Sequence, residues 1–428
     1  MEIPFLDRVF DYSDPYHASI LEFIPYLFPA VADADINFRI QPLSQGTTNS
    51  LFKVTNYSVK EDAVLVKVYG DGTNITIDRN STFYVPLSRL ELPFFDSCLT
   101  KPAVKKEELW VHKLLAERGL SSAPLVRFTN GHAYQFIPGR VCSEGDMSKT
   151  EIFRGVAREL ARWHALLQPV ELQGARKELD YEASVWSTAK RWLNAISNSP
   201  KRSKAEIERL QEGFHYLTDK LLPTDVMPEP LVLGHGDLLC GNIIVQESAD
   251  GMKAMNGATD VATVRFIDYE HATYCPRAFE LANHFAEWTG FQCNYDKLPS
   301  TSVRRAFIRE YLETHAELRR QHQHRQEHHV TDCNLAKKAD TDLPIANDAQ
   351  VEKLMRQTVK TFAYLTRLRG RGLCALIQAE TATGTIDFDY AGYAQMRFDE
   401  YEAWRKVQDG NVQSDEEMPL REKNWALP

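Results

Sequence analysis

Two short apolar runs, LVL at 231–233 and IIV at 243–245, enclose the polar stretch GHGDLLCGN. Runs of this kind, bounded by glycine and polar residues, read as strands, so the polar cluster is a loop held between them. A third run, VRFI at 264–267, ends on Asp268 and supplies a hairpin partner for the second. Whatever this chain folds into must carry that strand, loop and hairpin. Its polar members are His235, Asp237 and Asn242 on the loop and Asp268 at the strand end.

The rest of the sequence divides in two. FRIQPL, LFKVTNY and AVLVKVY follow one another between 38 and 69 and read as strands, the first two joined by the small-residue turn QGTTNS. EELWVHKLLAERGL reads as a helix stopped by Gly119, and PLVRF and HAYQF as two more strands. The Pro138–Gly139 pair marks a hinge. An N-terminal lobe of 1–139 and a C-terminal lobe of 140–428 are therefore expected. Residues 82–104, with three prolines and no period, read as an insertion in the first lobe, and the polar segment 319–350 as an insertion in the second. The second lobe opens on SKTEIFRGVARELARWHALL. Ser148 and Glu151 have the spacing of a capping box, and Ile152, Val156, Leu160, Trp163 and Leu167 recur at helical steps. Helical patterns dominate from there on.

Composition narrows the function classes. Fifty basic residues against fifty-nine acidic ones argue against a broad nucleic-acid surface. The seven cysteines are dispersed and form no C-x-x-C pair, which suits reduced thiols better than zinc or a disulfide framework. The first residues, MEIPFLDRVFDYSDPY, have no basic and apolar leader, and no run is apolar and long enough to span a bilayer. A cytoplasmic protein without membrane insertion is expected.

H-x-D-x-x-x-x-N is the spacing of a kinase catalytic loop. The aspartate accepts or orients the proton of an attacking hydroxyl, and the asparagine binds magnesium without adding charge. His235 and Asp237 are the candidate catalytic residues. Asn242 and Asp268 are the candidate metal ligands, since magnesium takes hard oxygens and shares its shell with phosphate. Lys67 sits in the apolar run AVLVKVYG, where an ammonium needs a partner. Nucleotide phosphates and Glu108 are the candidates, with Glu107 the alternative. The turn with Gly46, Thr47, Thr48 and Asn49 could cradle phosphate through its backbone N–H groups. Gln135 and Ile137, just ahead of the hinge, complete the expected nucleotide contacts. No G-x-G-x-x-G is present, Asp268 is followed by Tyr-Glu and not Phe-Gly, and no A-P-E follows. A small-molecule phosphotransferase fits better than a protein kinase.

These residues resemble the choline/ethanolamine kinases. HGDLLCGNII is similar to that family's phosphotransferase loop and FIDYEHATYCPRAFELANHFAEW to its metal-binding segment; VLVKVYG, ALIQA and TIDFDYAGYAQMRFDEY match as well. The resemblance runs in order from Leu43 to Tyr401. It implies a two-lobed, protein-kinase-like α+β fold of the aminoglycoside phosphotransferase and choline kinase type. It implies ATP and Mg2+ as cofactors and an amino alcohol as substrate. Leu-Leu-Cys after Asp237 is closer to the ethanolamine branch, which makes phosphoethanolamine in the first step toward phosphatidylethanolamine. Glu287, Glu270 and Tyr393 are the implied amine contacts. Lys67 stands where the family usually has arginine, and Arg371 and Cys374 stand where it usually has tryptophans that box an ammonium. Choline or mixed-amine kinase activity, a catalytically degenerate nucleotide-binding module, and a homodimer all stay open at this level.

Overall fold

The computed structural model describes residues 3–11, 22–29, 37–43, 49–57, 62–70, 106–167, 185–221, 231–246, 261–329, 347–365, 372–381, 388–411 and 418–428. The chain divides into two compact units, Met1–Ile137 with Ile377–Asp389, and Pro138–Leu376 with Tyr390–Pro428.

The first unit is built on a six-stranded sheet. Its strands are β1 (Phe5–Leu6), β2 (Phe38–Leu43), β3 (Asn49–Asn56), β4 (Asp62–Tyr69), β5 (Pro124–Phe128) and β6 (Gly131–Gln135). They lie in the order β1-β5-β6-β4-β3-β2, antiparallel except where β1 runs alongside β5. The helices α1 (Ile24–Leu27) and α2 (Lys106–Glu117) belong to the same unit. β4 is buried on both faces. Val64, Val66 and Val68 join Phe10, Phe23, Phe28, Phe52 and Phe128 in one apolar cluster. Alternation sends Leu65 and Lys67 to the other face, yet Lys67 is only 2% exposed. There it stands opposite His132 of β6, and Leu65 opposite Tyr134. The His112 ring of α2 packs edge-on against both His132 and Tyr134, so the helix covers the lysine's face of the sheet.

The second unit is mainly helical: α3 (Thr150–Leu166), α4 (Val185–Ser197), α5 (Lys204–Leu221), α6 (Arg277–Glu287), α7 (Thr301–His329), α8 (Asp348–Leu365), α10 (Tyr390–Gln408) and α11 (Leu420–Trp425), with α9 (Cys374–Thr381) straddling the division. Two small antiparallel sheets hold the site. One has the order β10-β9-β7 and the other is β11-β8, where β7 is Arg140–Val141, β8 Leu231–Gly234, β9 Ile243–Val245, β10 Val264–Phe266 and β11 Thr273–Pro276. The apolar period of α3 is realised, with Ile152, Val156, Leu160 and Trp163 fully buried. α7 lies along it, joined by Arg154–Glu310 (2.7 Å) and by His164 Nδ1 to the Tyr311 hydroxyl (2.7 Å).

The capping box expected at Ser148 and Glu151 does not form. The helix starts one residue later than the spacing implies, with Lys149 at the capping position, and an ammonium has no acceptor for the first backbone N–H groups; it pairs with Asp146 (2.7 Å) instead. The box sits upstream instead, where Asp146 accepts from Ser143 N (3.0 Å) and Ser143 Oγ (2.8 Å) around a short 3-10 turn, Glu144–Asp146. The expected insertion at 82–104 lies outside the described residues, as do 330–346 of the second insertion; residues 319–329 continue α7. Among the described residues no helix is long and apolar enough to cross a membrane.

Candidate active site

The loop between β8 and β9 holds its shape through its own backbone. Asp237 O accepts from Leu239 N (2.9 Å), and Asn242 N donates to Leu239 O (3.0 Å) in a short 3-10 turn that leads into β9. Gly236 adopts φ +77°, a conformation that side chains with a Cβ avoid. Asn242 Nδ2 donates to Asp237 O (2.8 Å) and to Asp237 Oδ2 (3.1 Å), so the two key polar side chains touch.

The strand end is tied to this loop through one residue. Ile267 N donates to Asn242 O (3.0 Å), and Ile267 O accepts from His235 Nε2 (2.9 Å). Both bonds fix the residue immediately before Asp268. Asp268 itself has φ +66°, strained for a residue with a side chain, and strain held in place this way is frequent at functional sites. The structure thus places His235, Asp237, Asn242 and the Asp268 backbone next to one another.

His235 is fully buried, under the stacked ring of Trp163 (5.5 Å between centroids). Its Nδ1 accepts from Asp237 N (3.3 Å) and its Nε2 faces a carbonyl, so the neutral ring carries its proton on Nε2. Burial pushes its pKa down to about 4.

Helix α6 grips the loop from the other side. The buried Glu280 carboxylate accepts from His235 N (2.9 Å) and Gly236 N (3.2 Å); Asn283 Nδ2 donates to Gly236 O (3.2 Å); His284 Nδ1 donates to Leu238 O (2.8 Å). Trp288 Nε1 donates to His284 Nε2 (3.3 Å) and fixes that ring. Sequence reasoning missed Glu280, Asn283, His284 and Trp163. The signal was present: in FELANHFAEW the polar residues 280, 283, 284 and 287 repeat at helical spacing within an otherwise apolar helix. Glu287, buried at the end of α6, continues that stripe. Glu270 and Tyr393 are buried in the same unit, the latter edge-on to Phe291.

In the first unit, Lys67 is placed as described. Asn49 is buried and its Oδ1 accepts from Gly70 N (3.4 Å). Gln135 ends β6 with its N–H on Ala123 O, and Ile137 is buried. Glu108 belongs to the first turn of α2, one turn before His112. Gly46, Thr47, Thr48 and Arg371, and the side chain of Glu108, lie outside the described residues.

The donor set suits a hard cation. Asn242 spends its amide nitrogen on Asp237, which leaves the carbonyl oxygen for a ligand, and Asp268 is a carboxylate held one residue from the contact with Asn242. Among the described residues no group of three or more His, Cys, Asp or Glu could hold a metal. Magnesium needs none, because it keeps waters and takes phosphate oxygens beside one or two protein ligands.

The family model for choline/ethanolamine kinase matches residues 100–402, which include the whole loop, the strand end, α6 and Tyr393. The chain belongs to the choline/ethanolamine kinase family. The kinase is 30% identical over 358 residues to an ethanolamine kinase of Drosophila melanogaster, covering 81% of this chain and 55% of that protein. It is 28% identical over 372 residues to ethanolamine kinase 1 of Mus musculus, covering 85% and 82%. The solved structure of a Plasmodium vivax ethanolamine kinase superposes with a TM-score of 0.63 at 21% identity, covering 94% of this chain and 91% of that one. The α+β, protein-kinase-like fold expected from the sequence is thereby the fold of the kinase, and the family uses ATP.

The buried histidines give the kinase a pH dependence. His235 and His284 are both held near 4 by burial, against an ordinary 6.5. Below 6.5 the unfolded chain takes up these protons while the folded chain does not. Stability should be full above pH 6.5 and fall as the pH drops toward 4, by on the order of 3 kcal/mol per ring. His164 and His315, also pushed down by burial, act in the same direction. Thermal unfolding midpoints between pH 7.5 and 4.5 check this; a midpoint that is flat or rises on acidification contradicts it.

Proposed function

We propose that the kinase transfers the γ-phosphoryl group of ATP to the hydroxyl of ethanolamine, giving phosphoethanolamine for phosphatidylethanolamine synthesis. The observation that carries this is the closed contact of Asp237 with Asn242 beside the strained Asp268, within a chain that is similar to proteins named ethanolamine kinase in Drosophila melanogaster and Mus musculus. Asp237 accepts the proton of the attacking hydroxyl. His235, neutral and bonded at both ring nitrogens, keeps the loop in shape. Asn242 through its amide oxygen and Asp268 through its carboxylate would hold Mg2+, which neutralises charge on the transferring phosphate. Lys67 orients the nucleotide phosphates, with Glu108 as its partner; Gly46, Thr47, Thr48 and Asn49 would offer backbone N–H groups to them, and Gln135 and Ile137 complete the nucleotide contacts.

Glu287, Glu270 and Tyr393 receive the ammonium. A primary ammonium has three N–H donors for carboxylates, whereas a quaternary one depends on aromatic faces. Arg371 and Cys374 stand where tryptophans usually do, which favours ethanolamine over choline. Action in the cytoplasm, on dissolved substrates, and a homodimeric state belong to the same proposal.

The test is purified protein with Mg-ATP and a panel of amino alcohols, following the phosphorylated product. Ethanolamine should give the highest kcat/KM, with choline at least about tenfold lower if the lost ring contacts count as they do elsewhere. Higher kcat/KM on choline would reassign the substrate. No product from any amino alcohol would leave a nucleotide-binding module.

A further inference from the structure

Asp237 sits between two holds from α6. Ahead of it, Glu280 accepts from His235 N and Gly236 N, and Asn283 donates to Gly236 O. Behind it, His284 Nδ1 donates to Leu238 O (2.8 Å). That bond falls on the peptide joining Leu238 to Leu239. The other end of the same peptide is the Leu239 N–H, which donates to Asp237 O (2.9 Å). A peptide unit is planar and close to rigid, so its carbonyl and its N–H turn together. The Asp237 carbonyl in turn accepts from Asn242 Nδ2 (2.8 Å). One line of bonds therefore runs from the His284 ring, through the Leu238–Leu239 peptide and the Asp237 carbonyl, to the amide of Asn242.

The ring is fixed on its far side too. It is fully buried, with the Phe307 and Phe285 rings 5.3 Å and 5.9 Å away between centroids. Trp288, one helical turn on, donates from Nε1 to His284 Nε2 (3.3 Å). A carbonyl only accepts and an indole N–H only donates, so the two partners require a proton on Nδ1 and none on Nε2. The neutral Nδ1–H ring is the one form that satisfies both. Burial pushes the His284 pKa down to about 4, so this form persists at neutral pH.

We propose that His284 is a positioning residue for phosphoryl transfer: its Nδ1–H holds the Leu238 carbonyl, and through that peptide it fixes the rotation of the Asp237 carbonyl and of the Asn242 amide. The proposal rests on the ethanolamine-kinase reading and deepens it, since it gives the reason that these two residues keep one orientation before a substrate arrives. His284 acts through the loop and not on the reacting atoms.

The experiment compares two variants with opposite faults. His284→Leu keeps similar bulk and removes the donor. His284→Asn has less bulk, but its Nδ2, set on Cγ as the imidazole Nδ1 is, can still donate to Leu238 O. Both lose the acceptor for the Trp288 indole. With ethanolamine and Mg-ATP, kcat of the leucine variant should fall about thirtyfold, short of the hundredfold that a full ångström of misplacement costs, while KM for ATP stays within about twofold of the unaltered kinase. The asparagine variant should keep at least about a fifth of the unaltered kcat, because the loop keeps its hold. A purely structural role would slow the variants in step with their loss of thermal midpoint, and the smaller asparagine would bring no rescue. A leucine variant within about threefold of the unaltered kcat, or an asparagine variant as slow as the leucine one, overturns the proposal. Should either variant fail to fold in thermal unfolding, the unaltered protein decides: histidine-selective 15N NMR at neutral pH should find the His284 ring protonated on Nδ1 alone, and a proton on Nε2 instead overturns the proposal. No turnover by the unaltered protein on any amine defeats the underlying reading as well; turnover without this pattern defeats only the role of His284.

Discussion

Replacing Asp237 by asparagine should lower kcat for amine phosphorylation about a thousandfold, within the range that a positioned general base contributes. KM for ATP and the thermal midpoint should hardly move. The separation follows from which atoms do what. The loop's shape rests on the Asp237 backbone: its carbonyl takes Leu239 N (2.9 Å) and Asn242 Nδ2 (2.8 Å), and its N–H reaches His235 Nδ1 (3.3 Å). The side chain accepts a longer bond, from Asn242 Nδ2 to Oδ2 (3.1 Å). An asparagine oxygen can accept that bond equally well, so the loop keeps this contact together with its backbone bonds. What disappears is an acceptor for the hydroxyl proton, because an amide is not basic. Steady-state kinetics on ethanolamine beside thermal unfolding check the result. A variant keeping more than about a tenth of the original kcat would remove Asp237 from the proton transfer.

That loop was legible because its parts are close in sequence. His235, Asp237 and Asn242 fall within eight positions between apolar runs, and VRFI ending on Asp268 pairs with IIV as the hairpin required. Helix α3 was legible for a similar reason, as its apolar residues recur at a single period. The parts that escaped are those the fold assembles from a distance. Glu280 lies well beyond the loop it binds, and only the packing of α6 shows that its carboxylate holds two backbone N–H groups there. β11 escaped because TYCP ends in proline and has a strand's role only by pairing with β8, Tyr274 opposite Leu233. The capping box was misplaced because Ser148–Glu151 and Ser143–Asp146 have the same spacing, and only the structure shows that α3 starts after Lys149 while the upstream pair closes a 3-10 turn. Arg397 and Glu400 have the spacing of an ordinary exposed helix pair; nothing in one dimension shows that their side chains are only 6% and 7% exposed.

Gly236→Ala should cost both stability and activity, where Asp237→Asn costs activity alone. At φ +77° an added Cβ is strained by about 1 kcal/mol or more, before any contact is considered. That Cβ would then lie 2.4 Å from His271 O and 3.1 Å from His271 C, both backbone atoms that no rotamer change can move aside. Relief requires the loop and the 269–272 turn to separate. The turn is itself closed by Ala272 N on Tyr269 O (3.0 Å), and the loop is held by Glu280 on Gly236 N and Asn283 on Gly236 O. Any shift therefore breaks a bond to α6 or disturbs the segment that follows Asp268. Strain plus lost bonds should destabilise the protein by about 3 kcal/mol or more. The displaced loop should lose about a hundredfold in kcat, since misplacing a reacting group by an ångström has that effect. Thermal unfolding and kinetics on the same preparation check both. An alanine variant with native midpoint and native turnover would mean that His271 yields freely, and the close packing of loop, turn and α6 would no longer explain how the catalytic residues are held.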